Sequence, residues 1–78
     1  MPRRQTIHPI QLALGRNVRR RREEVHYSQE ELAEKSSLDQ TYISGIECGK
    51  RNPGIKNVAR LAKALGIKTA VLVEGVDE

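Results

Sequence analysis

Gln40, Thr41 and Ser44 place an amide, a methyl-bearing hydroxyl and a second hydroxyl on neighbouring turns of one short segment. These groups suit the reading of base edges. A glutamine amide pairs bidentately with adenine N6 and N7, a threonine methyl meets a thymine methyl, and each good contact discriminates by about 1–3 kcal/mol. The chain contains no nucleophile paired with a base, no phosphate-binding glycine loop and no cluster of metal ligands, so these residues point to recognition and not to an enzyme. A lone Cys48 cannot form an internal disulfide, and His8 and His26 stand too far apart in sequence to suggest a metal site with it. Neither a metal nor a cofactor is expected.

The side chains that would read DNA need a rigid support, and residues 28–47, SQEELAEKSSLDQTYISGIE, spell one out. Ser28 followed three residues later by Glu31 is a capping box, which starts a helix at Ser28. Leu32 and Ala33 face inward, and Ser36, Ser37 and Leu38 form a turn. Asp39 then supplies a second N-cap before Gln40. Ile43 and Ile46 lie three apart and share the packed face of the second helix, leaving Gln40, Thr41, Ser44 and Gly45 on the other. This is the layout of a helix-turn-helix, whose second helix enters the major groove of double-stranded DNA. Arg51 and Asn52, just past that helix, are placed to hold the DNA backbone.

Charge is distributed in blocks. The net charge is +4 over 78 residues. Residues 1–22 carry seven arginines and no acid, residues 48–73 carry Lys50, Arg51, Lys56, Arg60, Lys63 and Lys68 and no acid, and residues 23–47 hold seven acids against the single base Lys35. Basic blocks flanking a helix-turn-helix suit a polyanion, because each neutralised phosphate releases counterions. No apolar run approaches the roughly 20 residues that span a membrane, and the first fifteen residues lack a signal-peptide core, which points to the cytoplasm.

The remaining pattern is all-α, with nothing that alternates at the period of a strand. Residues 1–11 carry two prolines and no helical period, and are expected to form a flexible basic arm. Residues 12–74 form the DNA-binding domain and 75–78 a short acidic tail. The first helix starts at Ile10 or Leu12 and ends at Glu24, with Leu14, Val18 and Val25 inward and Arg16, Arg19 and Arg20 outward. Arg22, four residues after Val18, falls on the apolar stripe and needs a polar partner. Gly49 stops the third helix. A fourth helix runs from Ile55 to Leu65, with Ile55, Val58, Leu61, Ala62 and Leu65 closing the core, and Gly66 stops it. A fifth covers Ile67 to Val73, more apolar than a small monomer easily buries. Its Ile67, Val71, Leu72 and Val73 either finish the core or form a two-fold homodimer seam.

The segments LGRNVRRRREE, SQEELAEKS, SLDQTYISGIE, GKRNP and LAKALGI, in that order, resemble the Cro/cI-like (XRE-type) helix-turn-helix transcriptional regulators over about Leu14 to Leu72. The run LDQTYISGIE followed by RN is especially similar to the controller proteins of restriction–modification systems. The resemblance implies a compact five-helix domain of the lambda-repressor-like DNA-binding type, acting as a homodimer on an inverted repeat. It pairs Arg22 with Glu47 as a structural ion pair, makes Gln29 a phosphate anchor, and gives Tyr42 a phosphate or groove contact, unless its ring merely packs. It also places His26 and Ser37 where the family usually has glycine. An antitoxin-like protein-interaction module with secondary DNA binding is the alternative, although it would need a further segment to wrap a partner.

Overall fold

The structure, a computed structural model, describes residues 8–77. The seven residues before them, most of the expected arm, lie outside the described residues, as does Glu78. Five helices follow in order: α1 Pro9–Glu24, α2 Gln29–Ser36, α3 Gln40–Glu47, α4 Ile55–Ala64 and α5 Thr69–Leu72. There is no strand among the described residues.

α1 begins earlier than the sequence pattern suggests. Pro9 occupies its first turn, where the missing N–H would be unpaired anyway and the fixed φ already suits a helix. Pro9, Ile10 and Gln11 therefore belong to the domain and not to an arm. Leu14 and Val18 are buried on one face, whereas Arg16, Arg19 and Arg20 are exposed and Val25 packs half-buried on the core.

α2 starts as expected. Ser28 Oγ accepts from the Glu31 N–H at 3.0 Å, and the Glu31 carboxylate accepts from the Ser28 N–H at 2.8 Å. Asp39 caps α3 by accepting from the Thr41 N–H at 3.0 Å.

Helices α1 to α4 all stop by one mechanism. Within two residues of each helix end one residue takes a left-handed backbone, His26 (φ 61°), Ser37 (φ 61°), Gly49 (φ 77°) and Gly66 (φ 72°), and the N–H after it bonds back to a carbonyl five residues earlier. Those bonds are Tyr27 to Arg22 (3.0 Å), Leu38 to Ala33 (3.1 Å), Lys50 to Gly45 (2.8 Å) and Ile67 to Ala62 (3.0 Å). This is the Schellman arrangement, which satisfies carbonyls a helix end otherwise leaves orphaned. Histidine and serine adopt at two of the stops the backbone that glycine takes at the other two. Their Cβ atoms strain that backbone, by about 1–2 kcal/mol for an ordinary residue.

The core joins all five helices. Val18, Leu32, Ile43, Ile46, Leu61, Leu65 and Leu72 are essentially without solvent contact, and Leu14, Ala33, Val58 and Ala62 complete the cluster. α1 lies across α3, α2 packs on α3 and α4, and α5 closes against α4 and α1. Two expectations fail. Ile55, at the start of α4, is 72% exposed. Periodicity assigned it a face, but buried residues on that face begin only at Val58. The last helix is one turn, Thr69–Leu72, because the Gly66 stop and the Lys68 cap take up Ile67 and Lys68. Beyond this turn Val76 packs on the core, and the Asn17 amide donates to the carbonyls of Leu72 and Glu74 at 2.8 and 3.0 Å.

The crossing of α1 on α3 is unusually close. Gly15 is buried against the backbone of α3, and a Cβ there would press on the Ile46 carbonyl and stand 2.8 Å from that of Glu47. Gly15→Ala offers about 1 kcal/mol of helix propensity but overpacks a rigid backbone contact by about 1–3 kcal/mol. The substitution is expected to lower the urea midpoint, and a higher midpoint would refute the close approach. A second expectation concerns acid. Hydrogen bonding from the Ser28 N–H, then from its side chain, holds the Glu31 carboxyl below its ordinary 4.5. A carboxyl with a lowered folded pKa contributes stability above its unfolded pKa, and that contribution disappears as pH falls through the folded value. The difference in urea midpoint between wild type and Glu31→Gln should therefore be constant at neutral pH and vanish in acid; a difference independent of pH would contradict the cap.

Candidate nucleic-acid interface

α3 supplies the reading face. Its inward side holds Ile43 and Ile46 at 0% exposure, so rotation of the helix about its axis is fixed by the core. Gln40 and Thr41 are exposed at its first turn and Ser44 is half-buried one turn on. None of these three side chains is committed to a hydrogen bond within the described residues, which leaves an amide and two hydroxyls available outward.

The far end of α3 is pinned by a buried ion pair. Arg22 donates from Nε to Glu47 Oε2 at 2.7 Å and from Nη2 to Oε1 at 3.0 Å, a bidentate fork, with the two side chains 12% and 4% exposed. Its Nη1 donates to the Tyr27 carbonyl at 2.9 Å, and Gln29 Nε2 donates to Glu47 Oε1 at 3.1 Å. The guanidinium thus links α1, the connection after it and α3, and the Glu47 carboxylate adds α2 through Gln29. The Glu47 hydrogen bond raises the Arg22 pKa above its ordinary value, outweighing the opposing effect of burial.

This network changes the reading of Gln29. Its side chain is turned inward onto Glu47, so only the second N–H of its amide is left for a phosphate. Tyr42 is likewise more committed than its sequence position implies. The ring is half-buried against the core, and its hydroxyl accepts from Asn57 Nδ2 of α4 at 3.2 Å. The hydroxyl hydrogen stays available to donate. Arg51 is exposed with its guanidinium carbon 5.8 Å from the Tyr42 ring centre, within range of a cation–π contact. Asn52 is exposed beside it.

Sequence reasoning missed three supports. Gln11, which it placed in the arm, donates from Nε2 to the Gly49 carbonyl at 3.0 Å, and Leu12 packs over Gly49, so the start of α1 holds the loop that carries Arg51. The available signal was spacing: Gln11 lies three and seven residues before Leu14 and Val18, on their stripe. Asn57 as the partner of Tyr42, and Asn17 as the clamp on the carbonyls of Leu72 and Glu74, had no sequence signal. Cys48 is exposed at the end of α3.

The four residues expected at a dimer seam are not equivalent. Leu72 is 1% exposed inside the monomer core and is withdrawn from the seam. Ile67 and Val73 are half-buried against the same core, and Val71 is 49% exposed. No helix among the described residues is long and apolar enough to cross a membrane.

The arrangement of α2 and α3 agrees with a match of residues 18–72 to the helix-turn-helix family model HTH_3. The chain belongs to this helix-turn-helix family. Among its relatives, the control protein C.BamHI of Bacillus amyloliquefaciens is 41% identical over 66 residues, covering 83% of this chain and 82% of that protein. The crystal structure of the restriction–modification controller protein C.AhdI from Aeromonas hydrophila superimposes with a TM-score of 0.82 at 37% identity, covering 83% of this chain and 98% of the other. The controller protein C.Esp1396I, solved as a tetramer in complex with its natural 35 base-pair operator, matches with a TM-score of 0.78 at 37% identity, covering 87% and 90% of the two chains. The matched residues include both Arg22 and Glu47.

The pair predicts its own mutational signature. Glu47→Ala leaves a buried guanidinium without its partner, and such losses cost about 3–5 kcal/mol, whereas replacing both partners by apolar residues of similar volume is often close to neutral. Urea denaturation of Glu47→Ala and of the double variant Arg22→Met with Glu47→Leu should show a large loss for the first and a much smaller one for the second. Equal losses would mean that the charges themselves supply the stability.

Proposed function

We propose that this protein is a sequence-specific transcriptional regulator that binds an inverted-repeat operator as a homodimer, and that it acts as a controller of a restriction–modification locus in the cytoplasm. The observation that carries the reading is the uncommitted Gln40–Thr41–Ser44 face on a helix fixed at both ends, in a fold shared with a controller solved on its operator. Gln40 and Thr41 read base edges at the groove-entering end of α3, with Ser44 beside them. Arg51, Asn52, the Tyr42 hydroxyl and the free Gln29 N–H hold phosphates around them. Val71, flanked by Ile67 and Val73, supplies the apolar centre of the two-fold seam. No bond is made or broken in this function.

A two-fold pair sets its two reading helices about 34–36 Å apart, one turn of duplex. Selection of bound duplexes from a random pool, with stoichiometry measured at two salt concentrations, should enrich an inverted repeat that takes two chains. Gln40→Ala should change base preference at one position of each half-site. Enrichment of no sequence, with weak binding even at low salt, would remove the operator reading and favour a protein partner for the basic surface.

A further inference from the structure

Gly45 lies on the outward face of α3, one turn beyond Thr41 and Tyr42, where a side chain would ordinarily project toward DNA. The space is occupied from elsewhere. Arg51 folds back over the helix, and a Cβ on Gly45 would stand 2.7 Å from Arg51 Cγ, 3.3 Å from Nε and 3.6 Å from Cδ. The guanidinium carbon then comes to rest 5.8 Å from the centre of the Tyr42 ring, nearer the groove-entering end. The turn after α3 makes this return possible: Gly49 has a φ of 77°, and the Lys50 N–H donates to the Gly45 carbonyl at 2.8 Å, which starts Arg51 beside Gly45. Asn57 holds the Tyr42 hydroxyl, so the ring beneath the guanidinium is itself fixed from α4.

We propose that Gly45 is a positioning residue for DNA binding: its missing side chain forms a notch that seats the Arg51 stem, so that Arg51 delivers its cation over Tyr42 on the reading face and not beyond the end of α3. The inference rests on the DNA-binding reading above and deepens it. A seated arginine has less rotamer freedom to lose when it meets a phosphate, which favours binding without adding a contact. The planar guanidinium suits the stack on Tyr42 in a way a lysine ammonium does not. Because the atoms crowded by a Cβ belong to a flexible exposed side chain, alanine at this position should displace Arg51 without unfolding the helix, whose propensity it improves.

The test is a double-mutant cycle on the duplex selected by the wild-type protein. Arg51→Ala should weaken binding by about tenfold, the effect of losing one charge-assisted hydrogen bond, and should flatten the salt dependence by about one unit of slope. Gly45→Ala alone should weaken binding by about threefold, yet change it by less than about twofold when Arg51 is already alanine. Its thermal midpoint should equal or exceed that of wild type. Wild-type affinity in Gly45→Ala, or the same loss in both backgrounds, would overturn the proposal. On the free protein, the Arg51 δ-proton resonances should lie upfield under the Tyr42 ring current and relax toward ordinary shifts in Gly45→Ala. Unchanged shifts would also overturn the seat. If the wild type selects no duplex while those shifts move as expected, the failure belongs to the DNA-binding reading, and a role in DNA binding falls with it.

Discussion

The bidentate contact between Arg22 and Glu47 is the constraint on which the domain's geometry depends. A small all-α core gives much freedom to slide one helix over another, because apolar contacts are not directional. The ion pair removes that freedom. It reaches from the last turn of α1 to the last residue of the reading helix, and Gln29 and the Tyr27 carbonyl complete its hydrogen bonds. Such a pair adds little net stability, since desolvation offsets most of the attraction, and its value here is orientation. The base-reading residues project from a helix whose angle is set by charge and whose rotation is set by Ile43 and Ile46.

Short helices meet this requirement at a cost in backbone hydrogen bonds. α2 and α3 have eight residues each, so a large share of their carbonyls and N–H groups are terminal. Capping by Ser28, Glu31 and Asp39 and the repeated left-handed stops supply the missing partners. The same stops set the direction of each following segment. His26 turns the chain so that Tyr27 presents its carbonyl to Arg22, and Gly49 turns it so that Arg51 returns over α3. Local chain geometry and the site are therefore one problem: the residues that end helices also decide which charge faces outward.

The close approach at Gly15 connects packing to the same site. With no Cβ between them, α1 and α3 approach until carbonyls of α3 lie against Gly15, and this brings Gln11 and Leu12 onto the Gly49 loop. The N-terminal turn of α1 thus buttresses the segment that carries Lys50, Arg51 and Asn52. Basic residues of α1 and of the segment after α3 are brought to a common scaffold, while the acids of residues 23–47 are partly absorbed into caps and ion pairs, as Glu31, Asp39, Glu23, Glu24 and Glu47 show.

Sequence alone determined whatever is local. Ser28 with Glu31, Asp39 before Gln40, and the spacing of Ile43 and Ile46 fix where two helices start and which side packs, because capping and periodicity act over a few residues and need no partner helix. The family resemblance added the pairing of Arg22 with Glu47, twenty-five positions apart, which spacing could not supply. Only the tertiary structure decided what depends on where elements end against one another. It exposed Ile55, buried Leu72, shortened the last helix, drew Gln11 into α1, and turned Gln29 inward to Glu47. It also seated Arg51 in the gap left by Gly45. A pattern of apolar residues names a face of a helix, whereas burial requires a neighbour opposite that face, and the neighbour's position is set by the whole fold.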